Sequence, residues 1–247
     1  NRGSITVSGG LLIMNGNNSA RLANVSARTS INNTGILQLH ANAGNTVGGI
    51  SYAMSAEQTG NQPLYLNNGS TLQLRSDSDV TFAGGNQLGG LGGATVTINV
   101  DQLTPGNTNH CITLGPAGFG VQNTVLYVTG GNGYSLAVGP LGNVGWLNKA
   151  GAATLYLKGA GTCSGWIVFS EGIVNAEVFG NYGQNSSLGN RAADSGPGNV
   201  GLLFRGGTLQ YTGGTPQTTD RAIRLSTTGG GGTIDASGSV PSATLSF

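Results

Sequence analysis

Charged side chains are scarce in this chain. Only 8% of its 247 residues are Asp, Glu, Lys or Arg, whereas an average soluble domain has about a quarter. The Lys and Arg residues number 10 and the Asp and Glu residues 9, so the formal net charge is +1. So small a charge gives no electrostatic basis for binding nucleic acid or an anionic membrane surface. We therefore expect neither partner.

Long apolar runs are also missing. No stretch approaches the roughly 20 consecutive apolar residues of a membrane-spanning helix, so this segment is not expected to insert into a membrane. We expect no signal peptide within this segment, because residues 1–4 lead straight into a strand-like stretch. Residues 243–247 also read as the middle of a strand. We expect residues 1–247 to be one segment of a longer chain.

Glycine, by contrast, is abundant at 46 residues, and it alternates with short apolar stretches that favour β-strands. Low charge with much glycine can also indicate disorder, but apolar triplets that recur this regularly can bury a continuous core. The predicted strands are residues 5–7, 11–13, 36–39, 64–66, 71–74, 80–82, 96–100, 112–114, 125–128, 135–138, 154–157, 166–170, 173–174, 202–204, 208–211, 223–225 and 233–236.

The shortness of these strands predicts an all-β chain folded as a parallel β-helix, a solenoid that forms a single elongated domain. Strands of a β-sandwich are usually longer, whereas each coil of a β-helix has two or three short faces joined by tight Gly and Asn corners. Outward Thr, Ser, Asn and Gln would then stack as neutral ladders, which explains the low charge. Residues 51–63 and 181–199 are expected to be lateral loops. The residues expected to point inward are Leu72, Val96, Ile98, Leu155, Leu157 and Leu209.

The two cysteines, Cys111 and Cys163, are expected to remain unpaired. Their separation in sequence corresponds to two or more coils, or about 10 Å along the axis at about 4.8 Å per coil. A disulfide needs Cα atoms within about 7 Å. One bridge in an oxidising compartment is the alternative.

Residues 149–176 resemble the autotransporter-associated β-strand repeat of bacterial surface and secreted passenger proteins. The family pattern runs roughly K-x-G-x-G-x-L-x-L-x-G-x-N-T-Y-x-G, followed by T-x-x-x-x-G-x-L. The matching positions are Lys149, Gly151, Thr154, Leu155, Leu157, Gly159, Thr162, Gly165, Gly172 and Val174. The departures are Ala153, Gly161, Cys163 and Ile167. Stretches around residues 68–72, 128–134 and 206–225 are similar to segments that accompany these repeats.

The resemblance implies a right-handed parallel β-helix that is exported and either displayed on the bacterial surface or released as an extracellular protein. It implies that the chain is a non-enzymatic structural or adhesive passenger segment, such as a stalk, fibre or surface-layer element. The expected partners are adjacent coils of the same chain, further copies of it, or surface glycans. No cofactor and no metal are expected.

The alternative function is a polysaccharide-binding or polysaccharide-degrading β-helix, which as an enzyme would need two carboxylates facing one groove. Asp77 and Asp79 would share a face in a strand, but the sequence around them is equally typical of a turn with solvated acids. Glu171 and Glu177 are too close in sequence to lie on neighbouring coils, so solvated corners are expected for both. No catalytic residue is therefore predicted.

Other site patterns are weak. Residues 229–235 carry one imperfect copy of a calcium-binding nonapeptide, although calcium usually takes six or more oxygen ligands. His40 and His110 are far apart in sequence, and Cys111 beside His110 is no zinc motif. Residues 89–93 are glycine-rich but lack the Lys of a phosphate loop. The Asn-x-Ser/Thr triplets are expected by chance, and they begin at Asn17, Asn24, Asn32, Asn68 and Asn185.

Overall fold

The computed structural model describes residues 5–14, 29–41, 64–82, 86–88, 93–115, 118–142, 145–196, 200–238 and 240–247. Within these ranges the regular structure is entirely β-strand, which confirms the all-β prediction. A helix long and apolar enough to cross a membrane does not occur in this described part of the chain. The predicted lateral loop at residues 51–63 lies outside the described residues.

Twenty-four short strands follow one another within the described ranges. The first twelve are β1 (Ile5–Val7), β2 (Leu11–Met14), β3 (Thr29–Ile31), β4 (Ile36–His40), β5 (Leu64–Leu66), β6 (Thr71–Arg75), β7 (Val80–Phe82), β8 (Asn86–Leu88), β9 (Ala94–Asp101), β10 (Cys111–Leu114), β11 (Phe119–Val121) and β12 (Thr124–Gly130). The remaining twelve are β13 (Ser135–Val138), β14 (Leu141–Gly142), β15 (Leu147–Ala150), β16 (Leu155–Leu157), β17 (Ile167–Phe169), β18 (Ile173–Ala176), β19 (Leu202–Phe204), β20 (Thr208–Gln210), β21 (Gln217–Thr218), β22 (Ile223–Leu225), β23 (Thr233–Asp235) and β24 (Leu245–Ser246).

These strands form three long parallel sheets that the chain visits in turn. Sheet A has the order β1-β3-β5-β8-β11-β14, sheet B the order β2-β4-β6-β9-β12-β15-β17-β19-β22, and sheet C the order β7-β10-β13-β16-β18-β20-β23. A separate parallel pair joins β21 to β24. Because β8, β9 and β10 belong to three different sheets, and β11, β12 and β13 repeat that order one coil later, the fold is a parallel β-helix, as predicted.

The core is a set of columns of apolar side chains that stack from coil to coil. Leu37 pairs with Leu72, Leu72 with Ile98, and Ile98 with Val128, and all four are fully buried. Each buried side chain of this size contributes roughly 1.5–3 kcal/mol of hydrophobic stabilisation. All six residues predicted to point inward are at most 1% exposed, which confirms the assigned strand faces.

Neutral polar side chains form the outer ladders that the composition predicts. On sheet B, Gln38 pairs with Gln73 and Gln73 with Asn99, whose amide donates to the hydroxyl of Thr129 at 3.0 Å. On sheet C, the Asn175 amide donates to the Gln210 side-chain oxygen at 3.1 Å. Such ladders stabilise the stack without the repulsion that identical stacked charges would cause.

Left-handed backbone makes the corners tight. Asn33 has φ 49° and Gly69 has φ 78°, a region that Asn and Gly tolerate best. A Cβ built at Gly69 would lie 3.0 Å from the Asn33 carbonyl oxygen. The two turns are therefore stacked on consecutive coils, between sheets A and B.

Irregular segments continue the stack beyond the last strand of sheet A. The Leu141 carbonyl accepts bonds from the amides of Thr162 and Cys163, and the Cys163 carbonyl accepts one from Asn190 at 2.8 Å. The loop that contains Asn190 is not strand, yet Ser186, Ser187 and Leu188 within it are buried. The end of this loop leads to residues 200 and beyond, where β19 resumes sheet B.

Candidate functional site

The aspartates considered as catalytic candidates lie in the turn between β6 and β7, where each binds the next coil. The Asp77 carboxylate accepts from the amides of Leu103 at 2.9 Å and Thr104 at 2.8 Å, and from the Thr104 hydroxyl. Asp79 accepts from the amide of Cys111 at 2.9 Å. The turn interpretation of these two acids is therefore correct, and their oxygens hold the backbone of the neighbouring coil in place.

Glu171 and Glu177 hold the backbone of the preceding coil in the same way. The Glu171 carboxylate accepts from the Gly151 amide at 3.0 Å, and the Glu177 carboxylate accepts from the Gly159 amide at 2.7 Å. Both glutamates are exposed, which confirms the predicted corner positions.

The pKa shifts of the aspartates are opposite to those of a catalytic acid. The hydrogen bond from the Cys111 amide is the main reason why the carboxyl pKa of Asp79 lies below its ordinary value. Burial raises this pKa, and His110 lowers it further. Burial opposes ionisation of Asp77, but the hydrogen bonds from Thr104 and Leu103 lower its carboxyl pKa overall. A general acid for glycoside cleavage needs a raised pKa.

The other acids in the described ranges also bind groups of the protein itself. Asp101 accepts from the Asn132 amide group at 2.8 Å, Asp220 from the Tyr182 backbone at 2.7 Å and Asp235 from Gln210 at 2.8 Å. Asp194 lies 3.5 Å from the Arg191 guanidinium. All four acids therefore make structural contacts within the protein.

The residues considered as possible metal ligands do not form one cluster in the structure. His110 lies 3.1 Å from Asp79, but His40 sits on another sheet, in β4. Asp235 bonds the amide of Ser237 in its own turn. Within the described ranges there is no group of three or more His, Cys, Asp or Glu side chains that could hold a metal. Both cysteines are free, as predicted, with Cys163 fully buried and donating to the Gly145 carbonyl at 2.9 Å.

The remaining motifs fall in corners or outside the described residues. Asn32 and Asn68 lie in the stacked turns between sheets A and B, where Asn68 accepts from the Thr95 amide at 2.9 Å. Residues 89–92 of the glycine-rich stretch, and Asn17 and Asn24, are not among the described residues.

Among the described residues, Lys149 in β15 is the most buried cation, with no exposed surface. Its ammonium donates to the carbonyls of Gly151 and Glu171, the latter at 2.8 Å, so it joins two coils at a corner. Burial lowers the pKa of Lys149 to about 8, and the Glu171 charge opposes that shift. The Lys that opens the repeat pattern is therefore an internal corner group in this fold.

An aromatic ladder that the sequence analysis missed runs along the corner before sheet B. Trp146 and Trp166 stack with ring centroids 6.2 Å apart and ring planes inclined by 14°. Both are half-buried, and each directly precedes a paired position, because Leu147 pairs with Ile167. The guanidinium of Arg191 lies 5.8 Å from the Trp166 ring. We call Trp146, Trp166 and Arg191 the tryptophan ladder.

Polar side chains border the C-terminal end of the tryptophan ladder. The Asp194 side chain, a quarter exposed, pairs through Oδ1 with the Arg191 guanidinium at 3.5 Å and accepts a hydrogen bond from the Tyr182 hydroxyl. The Tyr182 hydroxyl accepts from the Ala222 amide at 2.9 Å and lies beside Gly201. Gly201 follows Trp166 in the same column, because Ile167 pairs with Leu202. In the sequence, Trp146 is as far from Trp166 as Leu147 is from Ile167. This equal spacing is the sequence signal that could have predicted the ladder.

A comparison with known proteins finds a similar bacterial protein. The chain is 34% identical over 168 residues to the adhesin BmaC autotransporter of Brucella suis biovar 1 (strain 1330). The aligned region is 66% of this chain but 5% of the relative, so the chain spans a small part of that protein's length. No protein-family model matches the chain, and no solved structure matches it.

The similarity agrees with the fold and with residues 149–176. A stack of short parallel strands with glycine corners is the architecture that the repeat pattern implies, and the relative is itself an autotransporter. The predicted resemblance of this chain to the passenger proteins of bacterial autotransporters is thereby confirmed.

Proposed function

We propose that this chain is a non-enzymatic β-helical segment of a bacterial surface or secreted adhesin, in which it is both a stiff stalk and a contact surface. The observation that carries the proposal is the similarity to an autotransporter adhesin over 66% of the chain. On this proposal the segment lies outside the cell, exported as part of a longer protein.

The use of the charged groups supports a structural role. In the described ranges, carboxylates at the corners bind backbone amides of adjacent coils, and the Lys149 ammonium binds two backbone carbonyls. Buried or capped charges of this kind fix one stacking register, because breaking one leaves its partner unsatisfied. Many outer ladder positions then carry neutral side chains, such as Gln38, Gln73 and Asn99.

Adhesion of coated beads to cells tests this proposal. Beads carrying the folded 247-residue chain should bind cultured epithelial cells in a saturable manner, and free chain should compete. Beads carrying the same chain after heat unfolding are the matched control. Equal binding by folded and unfolded chain, or none by either, would contradict an adhesive role.

Degradation of polysaccharides tests the enzymatic alternative. The folded chain is expected to release no reducing ends and no unsaturated sugars from pectin, xylan, hyaluronan or chondroitin. Release that disappears in Asp77→Asn or Asp79→Asn would instead establish the alternative, since both variants keep the shape of the turn while removing the charge.

A further inference from the structure

A column of three ionisable side chains crosses sheet B at the carboxyl ends of its strands. His40, the last residue of β4, pairs with Arg75 of β6, and Arg75 pairs with Asp101 of β9. Paired positions in adjacent parallel strands lie about 4.8 Å apart, so each side chain of this charged column stacks on the next. The imidazole of His40 therefore has a guanidinium, and not a carboxylate, as its stacked neighbour.

The Arg75 guanidinium is fixed by contacts within its own coil and with the coil that follows. Its Nη1 atom donates to the carbonyl of Leu74 at 3.0 Å and to that of Asn99, in β9, at 3.2 Å. Burial lowers the pKa of Arg75, and the Asp101 carboxylate opposes that shift. The guanidinium therefore cannot turn away from a new positive charge on His40 without losing these contacts.

Protonation of His40 would place a donor where the protein offers no acceptor. The Nε2 atom of His40 is buried and has no hydrogen-bond partner in the described part of the chain. An imidazolium ion carries a hydrogen on both ring nitrogens. The charged form of His40 would thus bury an unsatisfied N–H group beside a second cation, and both effects cost free energy.

The acids near this column do not compensate for that charge. Asp77, Asp79 and Asp101 each accept a hydrogen bond from a residue of a later coil, on the side of β6 that faces away from β4. On the other side of β4, β2 ends at the uncharged Met14. Arg75 is therefore the charge that dominates the surroundings of His40 among the described residues.

The pairing of β4 with β6 should consequently weaken in acid. Burial lowers the pKa of His40 from its ordinary value of 6.5, and the Arg75 charge lowers it further. When β4 separates from β6, the imidazole regains water and loses the nearby guanidinium, so the separated state binds the proton more tightly. The stacked state is fully favoured above about pH 6.5 and loses stability as the pH falls below that value.

Separation at this position affects the end coils alone. Strands β1–β4 form the N-terminal end of the described solenoid, so they can open without breaking the strand pairs that follow β6. Opening would uncover Leu72 and Leu74 of β6, which are fully buried and pair with Leu37 and Leu39 of β4. The result would be a new apolar end surface.

We propose that the stacked pair of His40 and Arg75 is an acid-sensitive contact, at which strands β1–β4 separate from β6 in mild acid and expose Leu72 and Leu74. At neutral pH His40 is uncharged and the coils stay stacked. This inference concerns the stability of the stack and does not depend on the adhesive function.

Hydrogen–deuterium exchange of the folded 247-residue chain tests the proposal, with rates corrected for the intrinsic pH dependence of amide exchange. Between about pH 7.5 and about pH 5, the opening equilibrium measured for residues 36–41 is expected to rise, by up to about thirtyfold. Peptides from β12 and β16, in the middle of the stack, are the internal reference and should change less. Unchanged protection of residues 36–41, or an equal loss in all peptides, would overturn the proposal.

Three variants assign the acid response to its residues. His40→Gln removes the titrating group and Arg75→Gln removes the like charge, so both should reduce the response of residues 36–41. His110→Gln is the matched control, because His110 lies 3.1 Å from the carboxylate of Asp79 rather than beside a cation, and it should respond as the wild type does. Circular dichroism at neutral pH establishes which variants are folded. A folded His40→Gln variant with the full wild-type response would overturn the proposal, whatever the stability of Arg75→Gln.

Discussion

At the scale of single residues, Lys149 is the least expected feature of a chain so poor in charge. A buried ammonium loses its hydration, which lowers its pKa to about 8 from an ordinary value of 10.5. Its hydrogen bonds run to neutral carbonyls, and a neutral amine can still donate to both. The folded state therefore favours loss of this proton.

The stability of the fold should rise with pH because of Lys149. Below about pH 8 both states hold the proton, whereas between about pH 8 and 10.5 the unfolded chain keeps it and the folded chain releases it. The free energy of unfolding should increase across that interval by at most about 3 kcal/mol. Urea unfolding of wild type and Lys149→Met, at matched pH values, measures it. A profile that Lys149→Met leaves unchanged would show that another group is responsible.

Gly165 lies where the backbones of two neighbouring coils come too close together for any side chain. A Cβ at this position would lie 2.1 Å from the Gly145 carbonyl oxygen and 2.6 Å from the Trp146 nitrogen, and its backbone is not left-handed. The requirement is therefore close approach between coils, which a side chain cannot relieve by changing rotamer.

The stability lost when a glycine is replaced by alanine should depend on how much space the new Cβ atom has. Gly165→Ala is expected to lower the free energy of unfolding by about 1–3 kcal/mol through overpacking. Gly142→Ala, whose Cβ would meet nothing within 4 Å, should stay within about 0.5 kcal/mol. Thermal melts of the two variants provide the measurement, and a reversed ranking would refute the assigned coil contacts.

At the scale of elements, most charged groups of the described residues lie at corners, although Arg75, Asp101 and Asp235 lie in strands. Asp77 holds the start of the turn at Leu103 and Thr104, one coil away, with three hydrogen bonds. Each strand pairs through its own backbone, but a corner has amides that the sheets leave unpaired. Acids at corners therefore decide how one coil is positioned on the next.

Removal of the Asp77 carboxylate should loosen this corner. Asp77→Ala is expected to cost about 1–3 kcal/mol, because two amides and a hydroxyl lose their acceptor. Asp77→Asn retains one acceptor oxygen and should cost less. Thr81→Ala, on the exposed outer face of β7, is the control. Chemical unfolding measures the stability of the three variants. Equal losses in Asp77→Ala and Thr81→Ala would show that the Asp77 carboxylate does not stabilise the corner.

The stabilisation that Asp77 gives to this corner should decrease as the pH falls. Because the folded pKa of Asp77 lies below its ordinary value, its contribution is complete above about pH 4 and is lost as the pH falls through the lower folded pKa. The difference in melting temperature between wild type and Asp77→Asn should therefore shrink on acidification. A difference that grows on acidification would show that the carboxylate destabilises the fold.

The strands were predictable from the sequence because alternation and glycine corners are local signals. Residues 155, 157 and 209 alternate with polar neighbours, and the structure buries them. The corner contacts were not predictable, because Asp77 and Leu103 meet only once the coil length is known. Coil length varies, since Leu136 pairs with Leu155 but Ile167 pairs with Leu202. The tryptophan ladder was missed for the same reason.

At the scale of the whole molecule, the two ends of the described solenoid differ from its middle. Leu72 and Leu209 inside the stack are fully buried, whereas Ile223, Leu225 and Ile234 in the last coils are 38%, 59% and 41% exposed. Ile223 and Leu225 continue the inward columns of Leu202 and Phe204. At the other end, Leu12, which pairs with the fully buried Leu37, is 37% exposed. Among the described residues, the end strands β2, β22 and β23 each pair with one neighbouring strand only, so one edge of each carries backbone groups outside the ladder.

We propose that further coils, of the same polypeptide or of another copy, stack on these end surfaces. Solenoid coils are stabilised by their neighbours, so an uncovered coil retains apolar area that stacking would bury. In a solution of the 247-residue chain alone, a second copy is the available partner, and association through the ends is expected at micromolar concentration.

Analytical ultracentrifugation of the isolated chain tests this association. The double variant Leu225→Asn with Ile234→Asn should shift the distribution toward monomer, because it replaces apolar area on the exposed coil with polar side chains. Tyr127→Asn removes a side chain of comparable exposure, 40%, from the flank of sheet B and should leave association unchanged. If Tyr127→Asn disperses the chain as well as the double variant does, association occurs through the flank. If the wild-type chain is a monodisperse monomer, these end coils are stable without a neighbour and the stacking proposal is wrong.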